Sequence, residues 1–299
     1  MQDLQDTKEI KDMKGRFHPM KKIVAILLTL SLLLAAAAFA EETEIIKTDK
    51  KLIKYSKSQG PYTELFEAAI IPILEAKGYQ AEVVETSELL VADQILQAGE
   101  VDVNVEQHTA YAENFNANNG GDLVPISVIP TVAAAIYSAN HESLDEVKEG
   151  FTVAIPNDAA NTARCLAILQ KIGWIKLDDS VEISKVSVDD VIENPYNLQL
   201  IEQKSLTIPA AISDYDYVVI TGSVVYNAGV NEKYRALAQE DILPHLILQV
   251  VVKAENAHTD WAQAIVDAYH SDEFKAYLEK ENAADGAWKG LWWIPDELK

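Results

Sequence analysis

The sequence predicts an α/β protein of two lobes joined by two crossing strands. Three observations lead there. Strand-like apolar runs alternate with helical patterns from Leu52 onward. No Gly/Ser linker and no repeat of fixed period divides the chain. Two long apolar runs, near 131–138 and 245–252, bracket a middle segment that has its own strands and helices. Such alternation favours mostly parallel sheets. The expected lobes are 51–137 plus 250–299, and 138–249. A single doubly wound domain is the other arrangement that fits the pattern.

The elements follow in order. Residues 1–19 are polar and suit no fold, either an extension or a mis-assigned start before Met20. Met20-Lys21-Lys22 opens a basic segment, Ile23 to Ala38 is apolar or small apart from Thr29 and Ser31, and Ala38-Phe39-Ala40 has a small-x-small form. Residues 20–40 therefore read as a secretory signal peptide. Charged residues 41–50 are expected to fray. Leu52 to Ser56 reads as a strand, and Pro61 to Lys77 as a helix that Pro72 should kink or split. Gln80 to Glu85 is a strand, Ser87 to Ala98 a helix capped by Ser87, and Val101 to Val105 a strand. Thr131 to Ser138 is the first crossing run, and Ser143-Leu144-Asp145-Glu146 a capping box. Phe151 to Ile155 is a buried strand that turns at Asn157-Asp158 into a helix ending near Ile172. Val181 to Val186, Leu198 to Glu202 and Tyr215 to Ile220 read as strands, as does His245 to Val252. Thr259 to His270 and Ser271 to Glu281 close the chain as helices.

Composition narrows the function. The formal charge is −22, and residues 1–40 hold six basic and four acidic residues, so the remainder carries about −24. That charge argues against nucleic acid and anionic membrane surfaces as partners. The lone cysteine, Cys165, excludes an intramolecular disulfide. With no cysteine beside the expected cleavage point, the sequence suggests a periplasmic protein without a membrane anchor, most simply a monomer. No P-loop, G-x-G-x-x-G or G-x-S-x-G occurs. The six histidines show no metal-ligand spacing, so neither a metal nor another cofactor is expected. No nucleophile–base pattern or paired acid/base carboxylates stand out, which weighs against an enzyme.

Several places suit a ligand. Asn161 and Arg164 are three residues apart in the first turns of their helix, where a donor and a guanidinium could hold a carboxylate. The same residues also suit a helix-capping Asn and an Arg on a solvated face. Gly60-Pro61 lies between a strand and a helix. Gln107-His108-Thr109-Ala110-Tyr111 combines a hydrogen-bonding ring with an aromatic. Tyr137 ends the first crossing run, where core packing is the plainer role, and Thr221-Gly222-Ser223 follows a strand, where capping would explain it. Trp288, Trp292 and Trp293 suit packing against a lobe.

These segments, in this order, resemble the methionine-binding family of periplasmic solute-binding proteins, also called the NlpA lipoprotein family. The resemblance runs from about 51 to 283. It rests on Gly60-Pro61-Tyr62-Thr63-Glu64-Leu65-Phe66-Glu67, Asp102 to His108, Ile136-Tyr137-Ser138, Val153 to Asp158 with Asn161, Arg164 and the end of that helix, and Asn194-Pro195-Tyr196-Asn197-Leu198. The resemblance implies a type II-like binding protein. In that plan a ligand is closed between two α/β lobes and delivered to an ABC permease with its ATPase. It implies that His108, Asn161 and Arg164 contact a bound amino acid, with Arg164 on its carboxylate, and that Tyr111 lies near the pocket. Two positions depart from the pattern. Glu106 stands where the family has a Phe, and Thr221 where it has an Asn; the family's lipobox cysteine is also missing. A buried carboxylate is a poor wall for a thioether. The ligand expected is therefore methionine or a more polar amino acid. A small peptide, another amino-acid derivative or a sensory role is the alternative.

Overall fold

The structure is a computed structural model that describes residues 44–58, 60–286 and 289–299. The expected extension, the signal peptide and Trp288 lie outside the described residues.

The first lobe is built on two groups of strands. β1 (Leu52–Lys57) pairs in parallel with β2 (Gln80–Glu85). β3 (Asn104–His108), β4 (Leu123–Val128) and β10 (Leu248–Lys253) make an antiparallel sheet with β10 in the centre. A bridge from Tyr55 to Val103 joins the two groups. The helix expected over 61–77 is in three pieces: α1 (Pro61–Leu65), a π-helical turn at Phe66–Ile70 and α2 (Ile71–Ala76). Pro72 has no N–H to donate to the preceding turn, and the wider turn lies just before it. α3 (Leu89–Gln97) and α4 (Thr109–Asn119) cover the sheet. α7 (Asp260–Tyr269) and α8 (Asp272–Ala283) add their apolar faces, capped by Thr259 and Ser271 respectively. Trp292 packs on Tyr62 in this core at 5.8 Å between ring centres.

The second lobe has a mixed sheet in the order β9-β5-β8-β6-β7. Its strands are β5 (Ala135–Tyr137), β6 (Thr152–Pro156), β7 (Gln199–Gln203), β8 (Tyr217–Ile220) and β9 (Ala238–Gln239). α5 (Ala159–Lys171) and α6 (Gly222–Asn227) follow β6 and β8. Asp158 caps α5 by accepting from the Asn161 N–H at 3.0 Å.

Several expectations are corrected. The sheets are mixed rather than mostly parallel, because β3, β4 and β5 all meet antiparallel neighbours. β5 belongs to the second sheet, so the first crossing falls before Ala134 rather than after Tyr137. The second crossing runs through Glu240 to Ile247, ahead of β10. Residues 181–186 form turns rather than a strand, closed by the Val181 N–H to Asp178 and the Lys185 N–H to Glu182. Residues 46–48 do not fray. The Ile46 N–H donates to His258 at 2.8 Å, and Thr48 Oγ1 to Asp260 at 2.8 Å.

The two crossings hold each other. The Glu240 N–H donates to the Ala134 carbonyl at 3.0 Å, and the Ala134 N–H to Glu240 Oε1 at 2.6 Å.

Candidate functional site

β3 carries polar residues at the centre of a buried strand, and each must be satisfied locally. Glu106 is 7% exposed. Its Oε2 accepts from the Ser58 N–H at 2.8 Å and the Ser58 hydroxyl at 2.7 Å, and its Oε1 from Thr63 at 2.6 Å. Burial pushes its pKa up, and these donors pull it back.

His108 caps α4. Its Nδ1 accepts from the Tyr111 N–H at 3.1 Å, so the ring proton belongs on Nε2, which faces Asn161 Oδ1 at 3.5 Å. Burial, and then the charge of Arg164, lower its pKa to about 3, so the ring is neutral.

Behind β3, Asp93 is fully buried and pushed up to about 7 by burial. Asn104 and Gln107 donate to its Oδ1 at 3.1 and 2.5 Å. Its Oδ2 and Gln107 Oε1 have no hydrogen-bond partner.

From the second lobe, Asp158 Oδ1 takes both the N–H and the Nδ2 of Asn161, the latter at 2.9 Å. Ser205 donates to its other oxygen at 3.3 Å. Thr221 is buried as the residue before α6.

A cavity of about 350 Å³ lies between the lobes. Glu106, Tyr111, Asn161 and Thr221 line it, together with Asp158 and Ser58. Leu89, Leu90, Leu206 and Val224 form its apolar wall. His108 adjoins it through Asn161. Gly60, with φ at +129°, sits at the seam, where a Cβ would come within 2.9 Å of Ser223 Cβ. Lys204 Nζ to Glu88 at 2.7 Å ties the lobes across the mouth, and the Tyr226 hydroxyl donates to Glu64 at 2.7 Å beside a different cavity.

Two expected site residues lie elsewhere. Arg164 is 5% exposed and does not line this cavity. Its Nε donates to Glu240 Oε2 at 2.6 Å, its Nη2 to Glu240 Oε1 and to the Val132 carbonyl. The guanidinium thus grips both crossings, and a bidentate carboxylate already occupies the fork expected for a ligand. Tyr137 points into the second lobe, where its hydroxyl donates to Asn231 at 2.7 Å. It borders a separate cavity of about 610 Å³ beside Glu240 and Trp292. Cys165 is buried and its thiol is pushed up by burial.

Asp158 is a wall of the cavity as well as the cap that its place in the sequence predicts. Ser58, Lys204 and Ser205 also line it, and ordinary polar turn residues like these carry no signal of their own in a sequence.

Residues 53–292 match the family model of the NlpA lipoprotein. The D-methionine-binding lipoprotein MetQ of Escherichia coli K12 is 30% identical over 227 residues, 75% of this chain and 83% of that protein. Outer membrane lipoprotein 3 of Mannheimia haemolytica is 29% identical over 79% of this chain and 90% of that protein. Among solved structures, the methionine-binding protein MetQ superposes with a TM-score of 0.73 at 28% identity, covering 83% of this chain and 99% of that one. A nutrient-binding protein from Burkholderia cenocepacia, solved bound to methionine, gives 0.71 at 27% identity over 76% and 95%. The two-lobed binding-protein fold is thereby shown. The expectation of a periplasmic protein without a membrane anchor is corrected, because the matching family and its named relatives are lipoproteins. That expectation rested only on a cysteine missing from a leader that lies outside the described residues.

Proposed function

Since the chain belongs to the NlpA lipoprotein family, we propose that it is the solute-binding component of an ABC uptake system and that it holds one free amino acid in the cavity between its lobes. The observation that carries this reading is the cavity itself. Glu106 and Tyr111 come from one lobe and Asp158, Asn161 and Thr221 from the other, around a volume of about 350 Å³. That volume is at the small end of ligand pockets, and suits a single amino acid better than a peptide. Relatives whose names and titles state a ligand bind methionine.

The roles follow from the donors present. The first turn of α5 opens on the cavity and offers positive potential to a carboxylate. The amide of Asn161 and the hydroxyl of Thr221 flank it. Asp158 is the acceptor for an α-ammonium. Leu89, Leu90, Leu206 and Val224 cover the side-chain stem. Arg164 acts one step away, holding the crossings through Glu240. The ligand stabilises the closed arrangement because it touches both lobes only there. No covalent step is involved, and the closed form is what a permease with its ATPase would receive.

The test is a thermal-shift panel of the twenty amino acids on the full chain, refolded from denaturant to remove carried ligand. A ligand that binds only the native state raises Tm by mass action. The proposal expects at least one amino acid to raise Tm, and Ser205→Trp, which fills the cavity, to abolish the shift. No shift with any amino acid, or an equal shift in the variant, overturns it.

A further inference from the structure

The charges around the cavity do not balance, and the imbalance identifies a side-chain class for the ligand. Four ionisable carboxylate or ammonium groups line it: Glu88, Glu106, Asp158 and Lys204. Lys204 and Glu88 neutralise each other at 2.7 Å. Glu106 and Asp158 are held only by neutral donors: the N–H and hydroxyl of Ser58 and the Thr63 hydroxyl on one, the Asn161 amide and N–H and the Ser205 hydroxyl on the other.

Nearby cations are already committed. Lys57 contacts both oxygens of Glu67, at 3.1 and 2.8 Å, and Arg164 is taken by Glu240. A zwitterion with a neutral side chain brings no net charge. Its α-ammonium would answer one carboxylate and its α-carboxylate would add another. Closing two carboxylates away from water with no surplus cation is costly.

From this imbalance, we propose that the ligand is an amino acid with a positively charged side chain, whose side-chain cation is received by Glu106. The inference rests on the amino-acid reading of the cavity. A carboxylate offers about four acceptor positions. Three donors occupy Glu106, two of them on Oε2, which leaves room on Oε1 beside Thr63. Ser58 and Thr63 hold the group in one orientation, so it meets the ligand preorganised. Asp158 is left for the α-ammonium, and the apolar wall for the methylene stem, as a lysine-like side chain requires.

The experiment is isothermal titration of the refolded full chain with L-lysine, L-ornithine and L-arginine against L-norleucine and L-methionine. Lysine and norleucine share a four-carbon stem and differ in the terminal ammonium. The expected result is that at least one cationic amino acid binds about tenfold or more tightly than both norleucine and methionine. Glu106→Gln should shrink that ratio about tenfold. Norleucine or methionine binding as tightly as the best cationic amino acid overturns this inference and leaves the amino-acid reading standing. A Glu106→Gln protein that weakens lysine and norleucine equally overturns it too. Binding of no amino acid at all removes both. The wild-type ratio decides the matter even if the variant does not fold.

Discussion

Replacing Asp93 by Asn should stabilise the protein at alkaline pH, although it alters a fully buried, hydrogen-bonded residue. Burial raises the Asp93 pKa from 3.8 to about 7, with the charge of Glu106 acting in the same direction and the amides of Gln107 and Asn104 opposing. Between these two values the native state keeps a proton that the unfolded chain has lost. The native state binds more protons there, so stability falls as pH rises from about 4 to about 7, and the loss is complete above that. Roughly three pH units at 1.36 kcal/mol each give a ceiling of ~4 kcal/mol, of which ~2 kcal/mol falls between pH 5.5 and 8. Asn carries no charge and keeps an acceptor for Asn104 and Gln107. It also brings an N–H₂ to a region where Gln107 Oε1 has no partner. Scanning calorimetry of wild type and Asp93→Asn at pH 5.5 and 8 is the assay. The difference in Tm should move in favour of the variant by about 4–8 °C between the two. A difference that stays constant with pH, or a variant less stable than wild type at pH 8, refutes the reasoning.

Removing the Arg164 side chain with Arg164→Met leaves Glu240 buried without its partner and should cost ~3–5 kcal/mol in urea unfolding. A double variant that also carries Glu240→Leu should recover much of that, and a single variant of wild-type stability would show the pair to be unimportant. Gly60→Ala places a side chain at φ +129° and 2.9 Å from Ser223 Cβ, across the seam between the lobes. Backbone strain of about 1–3 kcal/mol predicts at least a several-fold loss of ligand affinity by titration, only partly relieved by adding Ser223→Gly. His108 should remain neutral with its proton on Nε2 at pH 5, because its pKa is about 3. Nitrogen-15 NMR showing a charged ring, or the Nδ1 tautomer, would contradict that.

What the sequence could reveal was local. Pro72 reads as a break because a missing N–H acts within one turn. Ser143 reads as a cap because a cap and its helix are adjacent. Asp158 reads as a helix start because a cap acts within the turn that follows it. Part of what failed depended on distant partners, and part on segments without a clear pattern. Arg164 and Glu240 are 76 residues apart, and no spacing around Arg164 announces a bidentate carboxylate. α4 went unread because Thr109–Asn119 is rich in Asn and lacks an apolar stripe. β4 contains Pro125, which reads as a breaker, yet β4 is an edge strand where a missing N–H does little harm. The alternating segment at 181–186 resembles a strand, but only Val186 of it is buried.

On the proposed function, one ligand is held between the two lobes in the 350 Å³ cavity rather than in the larger space beside Trp292. Hydrogen–deuterium exchange of the full chain, with and without a saturating amino acid from the binding panel, addresses it most directly. The expected result is ligand-induced protection in segments from both lobes, residues 104–111 on one side and 157–162 with 221–225 on the other. Protection confined to one lobe, or centred on residues 289–293 beside the second cavity, would contradict it.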